Sequence, residues 1–104
     1  MGNGHLELLL LGVLARGPAH GYAVIAALRE DSGGEFDLPE GTVYPALHRL
    51  ERSGLLASRW DESGPRRRRL YQLTAAGHRA LAARQEEFRT FTRGVQGVLR
   101  WAAP

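Results

Sequence analysis

The chain contains no cysteine and no lysine, a single methionine, and no long apolar run. Without cysteine there are no disulfides, no thiolate metal sites and no cysteine nucleophile. The longest apolar stretch, Leu8 to Leu11 continued through Gly12 to Ala15, is far shorter than the ~20 residues that a membrane helix needs. Met1 to His5 carry no basic leader of a signal peptide, and the chain reads as cytoplasmic. The four histidines, His5, His20, His48 and His78, are scattered without His-x-x-x-His spacing. No carboxylate stands convincingly beside a His or Ser. The sequence therefore points away from an enzyme, a metal site or a cofactor.

What is present is arginine, unevenly placed. All 14 basic residues are Arg, against 11 acids, and the 104 residues suffice for one domain. Residues 1–41 hold two Arg and six acids, a net of −4. Residues 42–73 hold seven Arg and three acids, a net of +4, and residues 74–104 hold five and two, a net of +3. An acidic first third beside a basic middle suggests a surface aimed at a polyanion. Arginine suits phosphate and guanine. Its exclusive use also follows from a GC-rich genome, so by itself it is weak support.

Leu6, Leu9, Leu10, Val13 and Leu14 recur at helical spacing and predict a helix over His5 to Arg16, ended by Gly17-Pro18. A second helix is expected over Gly21 to Glu30, with Tyr22, Ile25 and Leu28 on one side and Ser32-Gly33-Gly34 breaking it. After the connector Phe36-Asp37-Leu38, Pro39 fits the first turn of a third helix. Val43, Leu47 and Leu50 form the buried stripe of that helix, and Gly54 caps its end. Its opposite face carries Thr42, Tyr44, Pro45, His48, Arg49 and Arg52. Pro45 removes one backbone hydrogen bond and predicts a kink without a break. Leu55 to Asp61 and Arg68 to Leu73 have strand character around the turn Glu62-Ser63-Gly64-Pro65. Thr74 can cap a last helix from Ala75 to about Leu99, roughly 35–40 Å long at ~1.5 Å per residue. Only the ends, Met1 to Gly4 and Ala102 to Pro104, look frayed.

Helix, helix, helix, hairpin, long helix is the order of a winged helix-turn-helix: a mainly α fold with a two-stranded β wing and a long C-terminal dimerisation helix. Residues 1–74 form the DNA-binding part and 75–104 the dimerisation helix, within one compact unit. A helix about 10–12 Å across fits the B-DNA major groove, which is about 12 Å wide. On the third helix Arg49 can donate to guanine O6 and N7, and His48 and Thr42 can donate or accept. Tyr44 can reach phosphate or pack on a thymine methyl. A merely solvated face is the plainer alternative, but Thr-Val-Tyr-Pro has little charge for one. Arg66, Arg67 and Arg68, with Arg69, repel one another and call for a counter-charge, either DNA phosphate or simply bulk solvent around a basic loop. His20 and Tyr22 flank a helix N-terminus, where N–H groups favour an anion; packing is the alternative for Tyr22. Phe88 and Phe91, with Leu81, Val95 and Val98, form an apolar stripe on the last helix. No later segment covers it, so a second copy is the expected partner and the stripe the dimer interface. Trp101 has no assigned place.

Several stretches resemble PadR-family transcriptional regulators. They are Leu8 to Leu14 with Gly17-Pro18-Ala19-His20-Gly21-Tyr22, then Gly41 to Glu51 with Gly54-Leu55, and Pro65 to Thr74 with Gly77. Together they span residues 6–77, and the single last helix resembles the small subfamily. The resemblance implies a homodimer that binds a pseudo-palindromic promoter site, commonly as a repressor. It also implies release by a small aromatic effector, an acid or drug, bound near the dimer interface. Family members often carry Ser or Thr where Pro39 stands, so Asp37 caps the third helix here or its start shifts by about a residue. The tryptophan of drug-binding members lies within the last helix, and Trp101 falls too late to inherit its role. Two other classes compete with this reading. An adaptor binding protein rather than DNA would be insensitive to salt. An RNA reader would display an aromatic platform, for which the hairpin offers Tyr71.

Overall fold

The computed structural model describes residues 3–102, as α1 (Asn3–Leu14), β1 (Ala19–His20), α2 (Gly21–Asp31), α3 (Glu40–Arg52), β2 (Leu56–Asp61), β3 (Arg68–Leu73) and α4 (Ala75–Leu99). A 3-10 turn over Arg100–Ala102 follows. Gly4 and Ala102, expected to fray, lie inside α1 and this turn, while residues 1, 2, 103 and 104 fall outside the described region.

Leu6, Leu10, Leu11, Val13 and Leu14 of α1 are buried with Val24 and Leu28 of α2, and with Val43, Ala46, Leu47 and Leu50 of α3. Leu56, Tyr71 and Leu73 of the sheet and Leu81 of α4 complete this core. Each buried Leu or Val side chain contributes about 1.5–3 kcal/mol over its exposed state. No charged or polar residue is buried among the described residues.

Glycine closes two helices at positions only it occupies comfortably. After α2, Gly33 (φ 63°) and Gly34 donate to the carbonyls of Glu30 and Arg29. After α3, Gly54 (φ 80°) donates to Glu51 and Leu55 donates to Leu50, both at 3.0 Å. Both are Schellman closures, which satisfy carbonyls left open at a helix end. The second closure docks α4. Thr74 Oγ1 donates to the Gly54 carbonyl at 2.7 Å and accepts from the Gly77 amide at 3.0 Å, the N-cap expected of it.

Three local expectations change. The wing is not only two-stranded: β1 adds to the far edge of β3, giving the antiparallel order β1-β3-β2. Two extended residues between a proline and a helix show no periodicity from which a strand is read. Pro39 precedes α3 as its extended N-cap (ψ 160°), with its carbonyl accepting from Thr42 and Val43, and no side chain caps the helix. Asp37 instead faces Arg29 at 3.8 Å. On α2 the buried stripe is Gly21, Val24 and Leu28, so Tyr22 is turned outward and is 65% exposed. α3 runs through Pro45 unbroken.

Candidate nucleic-acid interface

The burial of Val43, Ala46, Leu47 and Leu50 fixes how α3 is rotated. Thr42, Pro45, His48 and Arg52 then stand exposed on the opposite side, with Tyr44 and Arg49 half-buried along its borders. Tyr44 leans on the start of α2, where a Cβ placed on Gly21 would lie 2.5 Å from the tyrosine ring. Glycine at 21 is what permits that approach. Burial, then the Glu40 carboxylate and Tyr22, push the Tyr44 phenol above its ordinary value, so it remains a hydrogen-bond donor at neutral pH.

The wing has two chemically different faces. Leu56, Ser58 and Trp60 of β2 stand opposite Leu73, Tyr71 and Arg69 of β3, a stripe that begins in the core and ends in solvent. Along it Ser58 Oγ donates to Glu51 at 2.5 Å and accepts from Arg69 Nε at 2.8 Å. Glu51 lies 3.8 Å from the Arg69 guanidinium. The Tyr71 phenol, buried here, is raised by burial and then by Glu51. On the other face Arg59 donates to Gln72 at 3.1 Å.

The hairpin is tied to β1 by His20 Nε2, 2.8 Å from Asp61 Oδ2. Asp61 also accepts from the Ser63 hydroxyl at 2.7 Å and the Ser63 amide at 3.0 Å. These two bonds, and then His20, lower the Asp61 carboxyl to about 2.

The arginine cluster is partly neutralised within the chain. Arg67 pairs with Glu62 at 3.0 Å, and Arg69 is held by Glu51. Arg66 and Arg68 are exposed and have no acidic partner among the described residues. Residues 65–69 wall one side of a cleft of about 420 Å³, whose other walls are His20, Gly21, Tyr22, Tyr44 and Trp60. The structure thus brings together the second-helix start, the third-helix Tyr44 and the wing arginines. His20 serves first as the wing's tether, and Tyr22 has the exposure a phosphate contact needs. Trp60 was absent from the sequence-based site. It is 49% exposed, with the Arg67 and Arg69 guanidinium carbons 4.2 and 4.9 Å from its ring centre. The signal for it lies in strand parity: Trp60 shares the hairpin face of Ser58 and stands opposite an arginine.

The expected apolar stripe of α4 divides. Leu81 belongs to the chain's own core, 8% exposed, because it falls where α4 still lies over the domain; it is withdrawn from the interface. Phe88, Phe91 and Val98 are exposed and Val95 is half-buried. Phe88 and Phe91 border a groove of about 350 Å³ with His5, Glu7, Leu8 and Arg84, where Arg84 meets Glu7 at 2.5 Å. Trp101 is 83% exposed, with Arg100 over its ring. No cluster of His and acidic residues able to hold a metal occurs among the described residues, and none of their helices is long and apolar enough to cross a membrane.

Residues 10–83 match the transcriptional regulator PadR-like family. The chain belongs to that family. This PadR-like chain is 31% identical over 86 residues to the transcriptional regulator YqjI of Escherichia coli K12, an alignment covering 83% of this chain and 40% of that protein. It thus spans about two fifths of that relative's length. A PadR family transcriptional regulator from Eggerthella lenta superposes with a TM-score of 0.80 at 38% identity, covering 92% of this chain and 82% of the other. Bacillus subtilis PadR, solved in complex with operator DNA, superposes with a TM-score of 0.68 at 26% identity, over 75% of this chain and 45% of that one. The family and these neighbours are transcription regulators, not enzymes.

Proposed function

We propose that this chain binds duplex DNA as a homodimer in the cytoplasm and represses transcription from a pseudo-palindromic promoter site. The observation that carries this reading is the single cleft joining the α2 start, Tyr44 of α3 and the wing arginines. One phosphodiester backbone running through it would set α3 against a major groove. Thr42, Pro45, His48 and Arg49 then address base edges, while Tyr22, Tyr44, Arg66, Arg67 and Arg68 address phosphate. His20 acts at one remove, through its hydrogen bond to Asp61. Residues 1–74 carry DNA recognition and residues 75–104 carry pairing, inside one folded unit. The pairing surface is Phe88, Phe91, Val95 and Val98, and its support is the exposure of Phe88, Phe91 and Val98 on a helix that outruns the domain. A small aromatic effector would sit between paired helices beside Phe88 and Phe91, where a groove already opens.

The test is affinity for a mixed-sequence duplex, followed by fluorescence anisotropy across salt concentrations. Association through phosphates releases counterions, so the logarithm of the binding constant falls linearly with that of salt, by about 0.9 per phosphate neutralised. A binding curve unmoved by salt contradicts the proposal and favours a protein partner.

A further inference from the structure

Trp60 is the one large aromatic of the wing exposed to solvent, and it sits at the rim of the cleft instead of in the core. Its register explains its neighbours. Directly opposite is Arg69, and Arg67, two residues earlier on the returning chain, lies on the same side of the hairpin. Both guanidiniums lie within cation–π range of the indole, at 4.2 Å for Arg67 and 4.9 Å for Arg69. The two arginines differ in everything else. Arg69 is already fixed by Ser58 and Glu51. Arg67 lies just before β3 begins, is 58% exposed, and has besides the indole only Glu62 across the turn, also exposed. An exposed pair of that kind holds a side chain weakly.

We propose that Trp60 is a positioning residue of the DNA interface, a platform that holds the Arg67 guanidinium in the cleft facing α2 before DNA arrives. This rests on the DNA-binding reading above. A long arginine side chain loses rotamer freedom when it grips a phosphate. The indole removes part of that freedom beforehand without neutralising the charge. The Glu62 carboxylate, 3.0 Å from Arg67, competes with a phosphate for the guanidinium; the ring face does not.

The experiment compares Trp60→Ala, Trp60→Phe, Trp60→Leu, Arg67→Ala and the Trp60→Ala/Arg67→Ala pair for affinity to one mixed-sequence duplex at several salt concentrations. Trp60→Ala is expected to weaken binding about 5- to 10-fold, the scale of a partly exposed cation–π contact, with the salt slope of the parent. Arg67→Ala should flatten the slope, and the double variant should bind within about twofold of Arg67→Ala, since coupled groups do not add. Trp60→Phe should keep most of the affinity and Trp60→Leu, similar in bulk but without a π face, should lose it. Unchanged binding by Trp60→Ala, multiplying losses in the double variant, or rescue by Leu equal to Phe overturns the proposal. In the free protein the Arg67 side-chain protons should show a ring-current upfield shift that Trp60→Leu abolishes. Failure of the parent to bind any duplex would sink the DNA reading and this proposal with it. Absence of the ring-current shift would sink the Trp60 platform alone.

Discussion

Arg49 lies half-buried at the border of the exposed face of α3, and on the proposed reading it addresses a base edge. Arg49→Ala is expected to cost about 1–3 kcal/mol on the preferred site and to relax base preference there. Competition binding against single-base variants of the site reads this directly, and an equal loss on every duplex would move Arg49 to the phosphate contacts. Asp61 offers a test by pH. Its carboxyl lies at about 2 in the folded chain, against an ordinary 3.8, through Ser63 and then His20. Because the folded value is the lower one, its contribution to stability is complete above 3.8 and is lost as the pH falls through about 2. The side-chain carboxyl carbon should titrate with that low midpoint by NMR, and Ser63→Ala should raise it. At this scale the sequence disclosed Thr42, His48 and Arg49, whose helical spacing against Val43, Leu47 and Leu50 separates outside from inside. Trp60 stayed hidden because a lone aromatic in a short strand reads equally as core. Leu81 misled because α4 alternates at one spacing over its whole length, and only the packed domain shows where cover ends.

The helices were legible for physical reasons that are local. Leu-rich periodicity, the glycines at 33, 34 and 54, and the Thr74 hydroxyl mark their stripes and ends without reference to the rest of the chain. β1 was not legible, since a strand of two residues owes its conformation to the edge of β3 beside it. Nor was the close approach of Tyr44 to Gly21 at the start of α2. The junction of wing and last helix makes a sharper test. A Cβ on Gly77 would overlap the Leu55 backbone carbonyl, and backbone yields less readily than a side-chain tip. Gly77→Ala should therefore destabilise the fold by about 1–3 kcal/mol despite alanine's better helix propensity, the usual penalty of overpacking. Denaturant unfolding measures it. A variant as stable as the parent would show that α4 is free to move off the 54–55 turn.

The molecule as a whole is longer than its size requires. Its extents are 55 × 28 × 21 Å and its radius of gyration is 15.6 Å, against about 13 Å for a compact chain of this length. The excess is α4, whose last turns carry Phe88, Phe91, Val98 and Leu99 in solvent. Such a surface is stable in water when another surface covers it. On the proposed reading the parent is a dimer by light scattering and Phe88→Asp a folded monomer; a dimer surviving the change would place the pairing elsewhere. The overall architecture could be read from element order alone, whereas the projection of α4 depends on where the core runs out. Selection of bound fragments from genomic duplex DNA, with footprinting of the strongest, tests the central claim most directly. Two symmetric half-sites centred about 34 Å apart, one turn of B-DNA, are the predicted result. Recovery of no duplex above background, even at low ionic strength, would contradict it.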